Sequence, residues 1–399
     1  MSEDPWLTVV GLGEDGPEGL TAASRAALEA AEIVFGPPRH LQLIPEIKAE
    51  TREWPVPFRD GLPMLDKLVG RRVVVLASGD PFWYGAGAVL ARRYGATALK
   101  TLPAPSTFSL VAARMGWPLE DTLCLGLHAA PLARLRPHLA AGQKAIVLLR
   151  DGDAVAELAG YLEDLGFGAT ELTVLEAVGG PRERRTVASA SDLPPNSFRH
   201  PVAVALEIAG NGPALPRTPG LPDETFDHDG QLTKRHVRAL TLSALAPRPG
   251  EHLWDIGGGA GSVSIEWCLA HPSTSATAIE RVDARADRVA ANATALGVDR
   301  VTVVRGAVPA ALTDLLPPNA VFVGGGLDTA LIDHLAATVP SGTRLVANAV
   351  TLESEAVLAA AHGKLGGSLT RIALSTAEPL GQKHGWKAAY PVVQWSTVL

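Results

Sequence analysis

The chain is 399 residues long, 47% hydrophobic and 19% charged. That is the balance of a globular α/β-type enzyme rather than a disordered chain, and it is long enough for two domains. Its 35 basic and 42 acidic residues leave a net charge of −7, which excludes a general nucleic-acid surface, so an anionic ligand must be met by local cations. No stretch approaches the roughly 18 apolar residues of a membrane span, the N-terminus carries no signal-like segment, and Cys124 and Cys268 stand apart without Cys or His company. No membrane partner, no metal and a cytoplasmic location are therefore expected.

The first half opens on an apolar strand, Trp6–Val10, followed by the turn Gly11-Leu12-Gly13-Glu14. Leu20, Ala23, Ala27, Leu28 and Ala31 then recur at helical spacing behind a capping Thr21. Further strands are predicted at Val73–Ala77, Ala145–Leu149, Thr173–Val178 and Val202–Ile208, with helical patterns such as Ala154–Leu165 between them. This alternation predicts an α/β fold. The stretch from Gly210 to Pro222 holds four prolines and three glycines without apolar periodicity, the chemistry of a stiff linker. The predicted division is 1–210 for a first domain, 211–224 for the linker and 225–399 for a second domain.

In the second half, strands are predicted at Leu253–Ile256, Thr277–Glu280, Val301–Val304, Ala320–Val323, Thr343–Ala347, Ser368–Leu374 and Pro391–Thr397. Helices fit Ser262–Ala270, Arg285–Leu296, Thr329–Thr338 and Leu352–Gly363. The last two strands follow one another without a helix, so a parallel sheet with one antiparallel strand near its edge follows.

The most informative motif is Asp255-Ile256-Gly257-Gly258-Gly259-Ala260-Gly261, an apolar strand end, a glycine loop and a helix start. Glycine permits tight turns and close backbone approach, and a helix N-terminus offers unpaired N–H groups. Glu280 ends the next strand, where it can hold a ribose. A plain G-x-G-x-x-G would be weak evidence and would suggest a dinucleotide, whereas an acid before a D-x-G-x-G-x-G loop resembles the S-adenosylmethionine pattern of Rossmann-like methyltransferases. Ala307 after the third strand, Gly324-Gly325-Gly326 after the fourth and Asn348 after the fifth point to the same sheet edge. The polar run Phe226 to Arg235, including Thr233, either folds over that cleft or is a solvated helix start capped by Thr233. Gln382-Lys383-His384-Gly385-Trp386 combines cations, imidazole and aromatic, and reads either as a binding loop for a flat carboxylate-bearing ligand or as a solvated hairpin. In the first half, a strand runs into Ser78-Gly79-Asp80-Pro81-Phe82-Trp83, by composition a βα turn with an acid able to accept from an amine or hydroxyl.

Val9-Val10-Gly11-Leu12-Gly13, Ser78-Gly79-Asp80-Pro81 and Pro105-Ser106-Thr107-Phe108 resemble, in order, the motifs of the tetrapyrrole methylases. Two positions differ from that pattern: Glu14 stands where relatives carry proline, and Ser78 where many carry glycine. The second half, through Asp229-Gly230-Gln231-Leu232-Thr233-Lys234-Arg235, the 255–261 loop, Glu280-Arg281 and Phe322 to Gly326, resembles the decarboxylating precorrin methyltransferases of cobalamin synthesis. In tandem the halves resemble the family of fused precorrin-6B C5,C15-methyltransferases (decarboxylating). The resemblance implies a two-lobed class III tetrapyrrole methylase fold first and a Rossmann-like, seven-stranded class I methyltransferase fold second. It implies one S-adenosyl-L-methionine per domain, held by Ser78, Gly79, Asp80, Trp83, Ser106 and Thr107 in the first. In the second, Thr233, Asp255, Gly257, Gly258, Gly259, Ala260, Gly261, Glu280 and Ala307 would hold it. It also implies methylation of precorrin-6B at C5 by the first domain, and methylation at C15 with loss of the C12 acetate carboxyl by the second, giving precorrin-8X. A homo-oligomer is the expected assembly. Arg281, Asn348, Lys383 and His384 are candidates for contacts to the carboxylate-rich substrate. No general base is assigned by the resemblance. The competing readings are a two-domain nicotinamide-dependent precorrin reductase and a non-catalytic tetrapyrrole-binding module.

Overall fold

The computed structural model describes residues 5–195 and 197–399. The chain forms two units, one made of residues up to Ala130 with Leu139–Pro213, the other of Pro131–His138 with Ala214–Leu399. The short Pro131–His138 segment thus groups with the second unit, where Arg134 pairs with Asp299 at 2.7 Å.

In the first unit the opening strands are β1 (Leu7–Leu12), β2 (Ile33–Gly36), β3 (Glu50–Glu53), β4 (Val73–Ser78) and β5 (Leu99–Leu102). They form a fully parallel sheet in the order β3-β2-β4-β1-β5. Between them run α1 (Ala22–Ala30), α2 (Pro38–Leu43), α3 (Leu62–Asp66) and α4 (Gly87–Tyr94). Thr21 caps α1 by accepting from the Ser24 N–H, as its position before the apolar periodicity predicts. The central strands are buried on both faces, which is why β1 and β4 read as continuous apolar runs rather than alternating ones.

After α5 (Thr107–Met115) come β6 (Leu123–Gly126), β7 (Lys144–Leu149), α6 (Asp153–Asp164), β8 (Glu171–Glu176), β9 (Arg184–Ser189) and β10 (Val202–Glu207). This second sheet is mixed, ordered β6-β7-β10-β8-β9, with β6 and β7 parallel and the other neighbours antiparallel. Two sheets within one unit give the two-lobed α/β arrangement.

The second unit contains α7 (Arg235–Leu245), β11 (His252–Ile256), α8 (Ser262–Ala270), β12 (Ser275–Glu280), α9 (Asp283–Ala295) and β13 (Val301–Arg305). It continues through β14 (Ala320–Val323), α10 (Thr329–Thr338), β15 (Arg344–Ala349), α11 (Leu352–Leu365) and β16 (Ser368–Ile372). The chain ends with the hairpin β17 (Ser375–Leu380) and β18 (Lys383–Ala388), then β19 (Val392–Val398). The seven-stranded sheet has the order β13-β12-β11-β14-β15-β19-β16, with only β19 antiparallel to its neighbours. The antiparallel strand expected near the edge is therefore the last one, inserted inside β16. The hairpin between them occupies the stretch left without predicted strands, where a solvated hairpin is one of the two readings of Gln382 to Trp386.

The strand order reverses between β11 and β14, so a crevice opens outside their carboxyl ends. Apolar side chains fill both faces of the sheet, with Trp267 on one side and Trp395 on the other fully buried. The Pro/Gly-rich segment is fastened at both ends. Gly212 donates to the Gly166 carbonyl at 3.0 Å, and the Gly220 and Leu221 N–H groups donate to the Glu266 carboxylate at 2.6 and 3.0 Å.

Among the described residues, no helix is long and apolar enough to cross a membrane, and no group of His, Cys, Asp and Glu is arranged to hold a metal ion. Both cysteines are free, and burial pushes their thiols up, Cys124 to about 11 and Cys268 to about 12. At those values neither is a nucleophile near neutrality.

Candidate functional site

The crevice of the second unit is a cavity of about 810 Å³ at the carboxyl ends of β11, β12, β13, β14 and β15. Its floor is the glycine loop. Gly257, Gly259 and Gly261 have φ of 76°, 58° and 76°, left-handed conformations that favour glycine. A Cβ on Gly257 would sit 2.6 Å from the Gly325 nitrogen. The two glycine runs therefore cross closely at the ends of β11 and β14, which explains why Gly257 admits no side chain.

Asp255 and Glu280 shape this loop. Asp255 is buried, and its Oδ2 accepts from the Ser264 N–H at 3.1 Å and the Ser264 hydroxyl at 2.6 Å. It thereby ties the end of β11 to the first turn of α8, where an anion is favoured. Burial, aided by nearby Glu280, pushes its carboxyl up to about 6. Glu280 accepts from the Gly259 N–H and the Val282 N–H, each at 3.0 Å. Its carboxylate so pins the loop apex to the end of β12, and each oxygen keeps a lone pair for a further donor.

The polar run before α7 lines the cavity through Gln231, Leu232, Thr233 and Lys234. Thr233 is not the helix cap: that position is Lys234, without a side-chain cap, and the Thr233 carbonyl is bound by Arg238. Arg238 is fully buried, and its Nε lies 2.5 Å from Glu266. It also donates to Asp223 at 3.2 Å and to the Leu221 carbonyl. Asp229 pairs with Arg285 at 2.8 Å and Arg288 at 3.3 Å, which holds its carboxyl down at about 2. Asn292 accepts from the Asp227 N–H and donates to the Asp227 and Ala260 carbonyls. The run is thus pinned to α7, α9 and the glycine loop at once.

Of the substrate candidates, Arg281 and Asn348 line the cavity, joined by Arg285 and Asp328. Asn348 is held by Thr241 at 2.9 Å and by Gln394 at 3.0 Å. Lys383 and His384 do not line it. They lie on β18 in an exposed hairpin, so the solvated-hairpin reading of that segment is the one the fold adopts. Ala307 and Gly258 to Ala260 line the cavity, whereas Gly261 stands one step behind, packed against Val289.

Sequence reasoning passed over Arg238, Glu266, Arg285 and Asn292. Glu266 had a usable signal, an acid inside the otherwise apolar helix Ser262–Ala270, which demands a buried partner.

In the first unit the corresponding groups gather at the carboxyl edge of the parallel sheet. Gly79 has φ 52°, donates to the Leu12 carbonyl and accepts from the Ala104 N–H. A Cβ there would lie 2.9 Å from the Pro105 carbonyl. The three motif segments thus meet backbone to backbone. Asp80 accepts from the Phe82 N–H at 2.9 Å, and Trp83 is partly exposed with its ring 5.0 Å from Phe108. Ser106 is buried and caps α5 through the Ser109 N–H at 3.0 Å; Thr107 begins the helix. Ser78 is exposed, with Arg39 and His40 on its hydroxyl.

Two α/β units, one two-lobed and one with a glycine-floored cavity at a switch point, define a tandem methyltransferase. Residues 7–194 match the family described as Tetrapyrrole (Corrin/Porphyrin) Methylases, and residues 224–399 match the Precorrin methyltransferase domain. A Precorrin-6Y C(5,15)-methyltransferase [decarboxylating] from Sinorhizobium sp is 48% identical over 98% of this chain and 96% of its own length. The chain belongs to the precorrin-6Y C(5,15)-methyltransferase (decarboxylating) family and is an enzyme of cobalamin biosynthesis. A Cobalt-precorrin-6B C(15)-methyltransferase (decarboxylating) from Salmonella typhimurium is 37% identical over 43% of this chain and 92% of its own length. The solved C-terminal domain of precorrin-6Y C5,15-methyltransferase from Rhodobacter capsulatus is 52% identical over 46% of this chain and all of that one, with a TM-score of 0.45.

Proposed function

We propose that the chain binds two molecules of S-adenosylmethionine, one per unit, and methylates precorrin-6B at C5 and C15 while removing the C12 acetate carboxyl, giving precorrin-8X. The first unit takes C5, and the second takes C15 with the decarboxylation. The observation that carries the reading is the cavity floored by the D-x-G-x-G-x-G loop with Glu280 at the next strand end. The division of labour is supported by the half-length relative, in whose name C15 methylation and decarboxylation already stand together. Nothing among these observations favours a nicotinamide reductase or a non-catalytic carrier.

The residues present fit the cofactor. Gly257, Gly258 and Gly259 line the cavity with bare backbone, and the adjoining Glu280 carboxylate has lone pairs for ribose hydroxyls. When bound, S-adenosylmethionine supplies an electrophilic methyl group. The chain's own residues hold and orient. Gly257 to Ala260 and Glu280 seat the cofactor, and Gln231 to Lys234 flank it and narrow the access of water. Arg281 and Arg285 line the cavity as forked donors for substrate carboxylates, with the Asn348 amide on the same wall. Orientation of this kind contributes several kcal/mol without a protein nucleophile.

The test is product mass from precorrin-6B and S-adenosylmethionine with full-length variants. Wild type should give two methyl gains and loss of carbon dioxide. Gly79→Val should keep the loss of carbon dioxide with one methyl gain. Release of carbon dioxide by Gly257→Val would refute the assignment of decarboxylation to the second unit.

A further inference from the structure

Glu14 follows β1 at the carboxyl edge of the first unit's parallel sheet, and its side chain is only 8% exposed. Two guanidiniums share it. Arg39 on α2 lies against Oε1 as an ion pair, and Arg182 donates from Nη2 to Oε2 at 3.1 Å. A tether between two loops would need no more than this.

Arg39 does more than close an ion pair. Its Nη2 also reaches Ser78 Oγ at 3.1 Å and His40 Nε2 at 2.9 Å, and His40 Nε2 lies 3.0 Å from Ser78 Oγ. A guanidinium carries donors only, so the ring nitrogen facing it is the one with the lone pair. Burial, reinforced by the Arg39 charge, pushes His40 down to about 3, so the ring is neutral near pH 7. The one lone pair of His40 Nε2 is therefore shared between an Arg39 N–H and the Ser78 hydroxyl proton, while the second N–H on the same Arg39 nitrogen is donated to Ser78 Oγ. One oxygen lone pair is left, and Ser78 is exposed at the end of β4, next to the left-handed Gly79.

We infer that Glu14, Arg39 and His40 are positioning residues that fix the Ser78 hydroxyl as a hydrogen-bond acceptor for a donor group of the cofactor, its amine or a ribose hydroxyl, in the first unit. The inference rests on the proposal that this unit holds S-adenosylmethionine. Glu14 keeps Arg39 turned toward Ser78, and neutral His40 turns the hydroxyl proton away from the ligand.

The test is calorimetric titration of the full chain with S-adenosylhomocysteine, which carries the same amine and ribose without the reactive methyl. Two sites are expected in wild type; a single site there overturns the two-cofactor proposal. Ser78→Ala should weaken one of the two sites by about 5- to 10-fold, the scale of one hydrogen bond, and leave the other unchanged. Glu14→Gln should weaken the same site by a similar factor. So should Arg39→Lys, which keeps the ion pair with Glu14 and loses the fork to Ser78, and which serves if Glu14→Gln does not fold. Ser78→Ala combined with Arg39→Lys should bind no more weakly than Ser78→Ala alone. Wild-type affinity in Ser78→Ala or Arg39→Lys, or losses that multiply in the double variant, would overturn the positioning role with the cofactor site intact.

Discussion

Glu266→Gln isolates the buried ion pair under the cofactor-facing segment of the second unit. Glu266 and Arg238 are 3% and 0% exposed, and the same carboxylate also accepts the Gly220 and Leu221 N–H groups. The variant keeps the shape and one acceptor but leaves the guanidinium without its main counter-charge inside the protein. Removing one partner of a buried pair costs about 3–5 kcal/mol, far more than an exposed pair would. At about 2–4 °C per kcal/mol for a unit of this size, the unfolding midpoint of that unit should fall by roughly 6–20 °C. Scanning calorimetry on the full chain reads it directly. Arg238→Met combined with Glu266→Gln should recover much of the loss, because the unpaired buried charge is gone while an amide oxygen remains to accept from the Gly220 and Leu221 N–H groups. A midpoint within about 1 °C of wild type in the single variant, or a double variant worse than the single, would refute it.

Two further expectations concern the glycine loop. The Asp255 carboxyl is raised from 3.8 to about 6, so the folded state holds this proton more tightly than the unfolded chain does. Its favourable contribution is complete below pH 3.8 and is lost as pH rises through about 6, a change on the order of 3 kcal/mol. Asp255→Asn should therefore gain stability relative to wild type between pH 4 and pH 7 in urea titrations, and a pH-independent difference would count against the raised value. Glu280→Ala should weaken cofactor binding by about 1–3 kcal/mol, or about 5- to 150-fold, since a charge-assisted contact and the pin on Gly259 are both lost. Unchanged affinity in a folded variant would reduce Glu280 to a strand-end charge that serves the loop alone.

Sequence by itself determined the layers and the loop. Alternation of short apolar runs with helical periodicity placed all seven strands of the second sheet, and Ser262–Ala270 and Thr329–Thr338 match the observed helices end to end. These patterns are local, because period and turn chemistry act over a few residues. Asp255, the glycines and Glu280 were legible for the same reason: acid, turn and helix start are contiguous, and the next strand end follows at fixed spacing.

Tertiary structure decided what depends on distant partners. Lys383 and His384 had suitable chemistry, but β18 pairs with β17 in a separate hairpin and carries them away from the cavity lining. Arg285 had no distinguishing local pattern, yet α9 sets it on the cavity wall with Asp229, 56 residues earlier, as its partner. Ser106 matched a cofactor motif by position, and the fold sets its hydroxyl on the first turn of α5, where it accepts from the Ser109 N–H. Glu14 appeared only as a departure from a motif, and its two guanidiniums come from Arg39 and Arg182. Charge, unlike periodicity, has no register in the sequence. Which cation meets which carboxylate is set by where the strand ends converge, and only the folded sheets fix that.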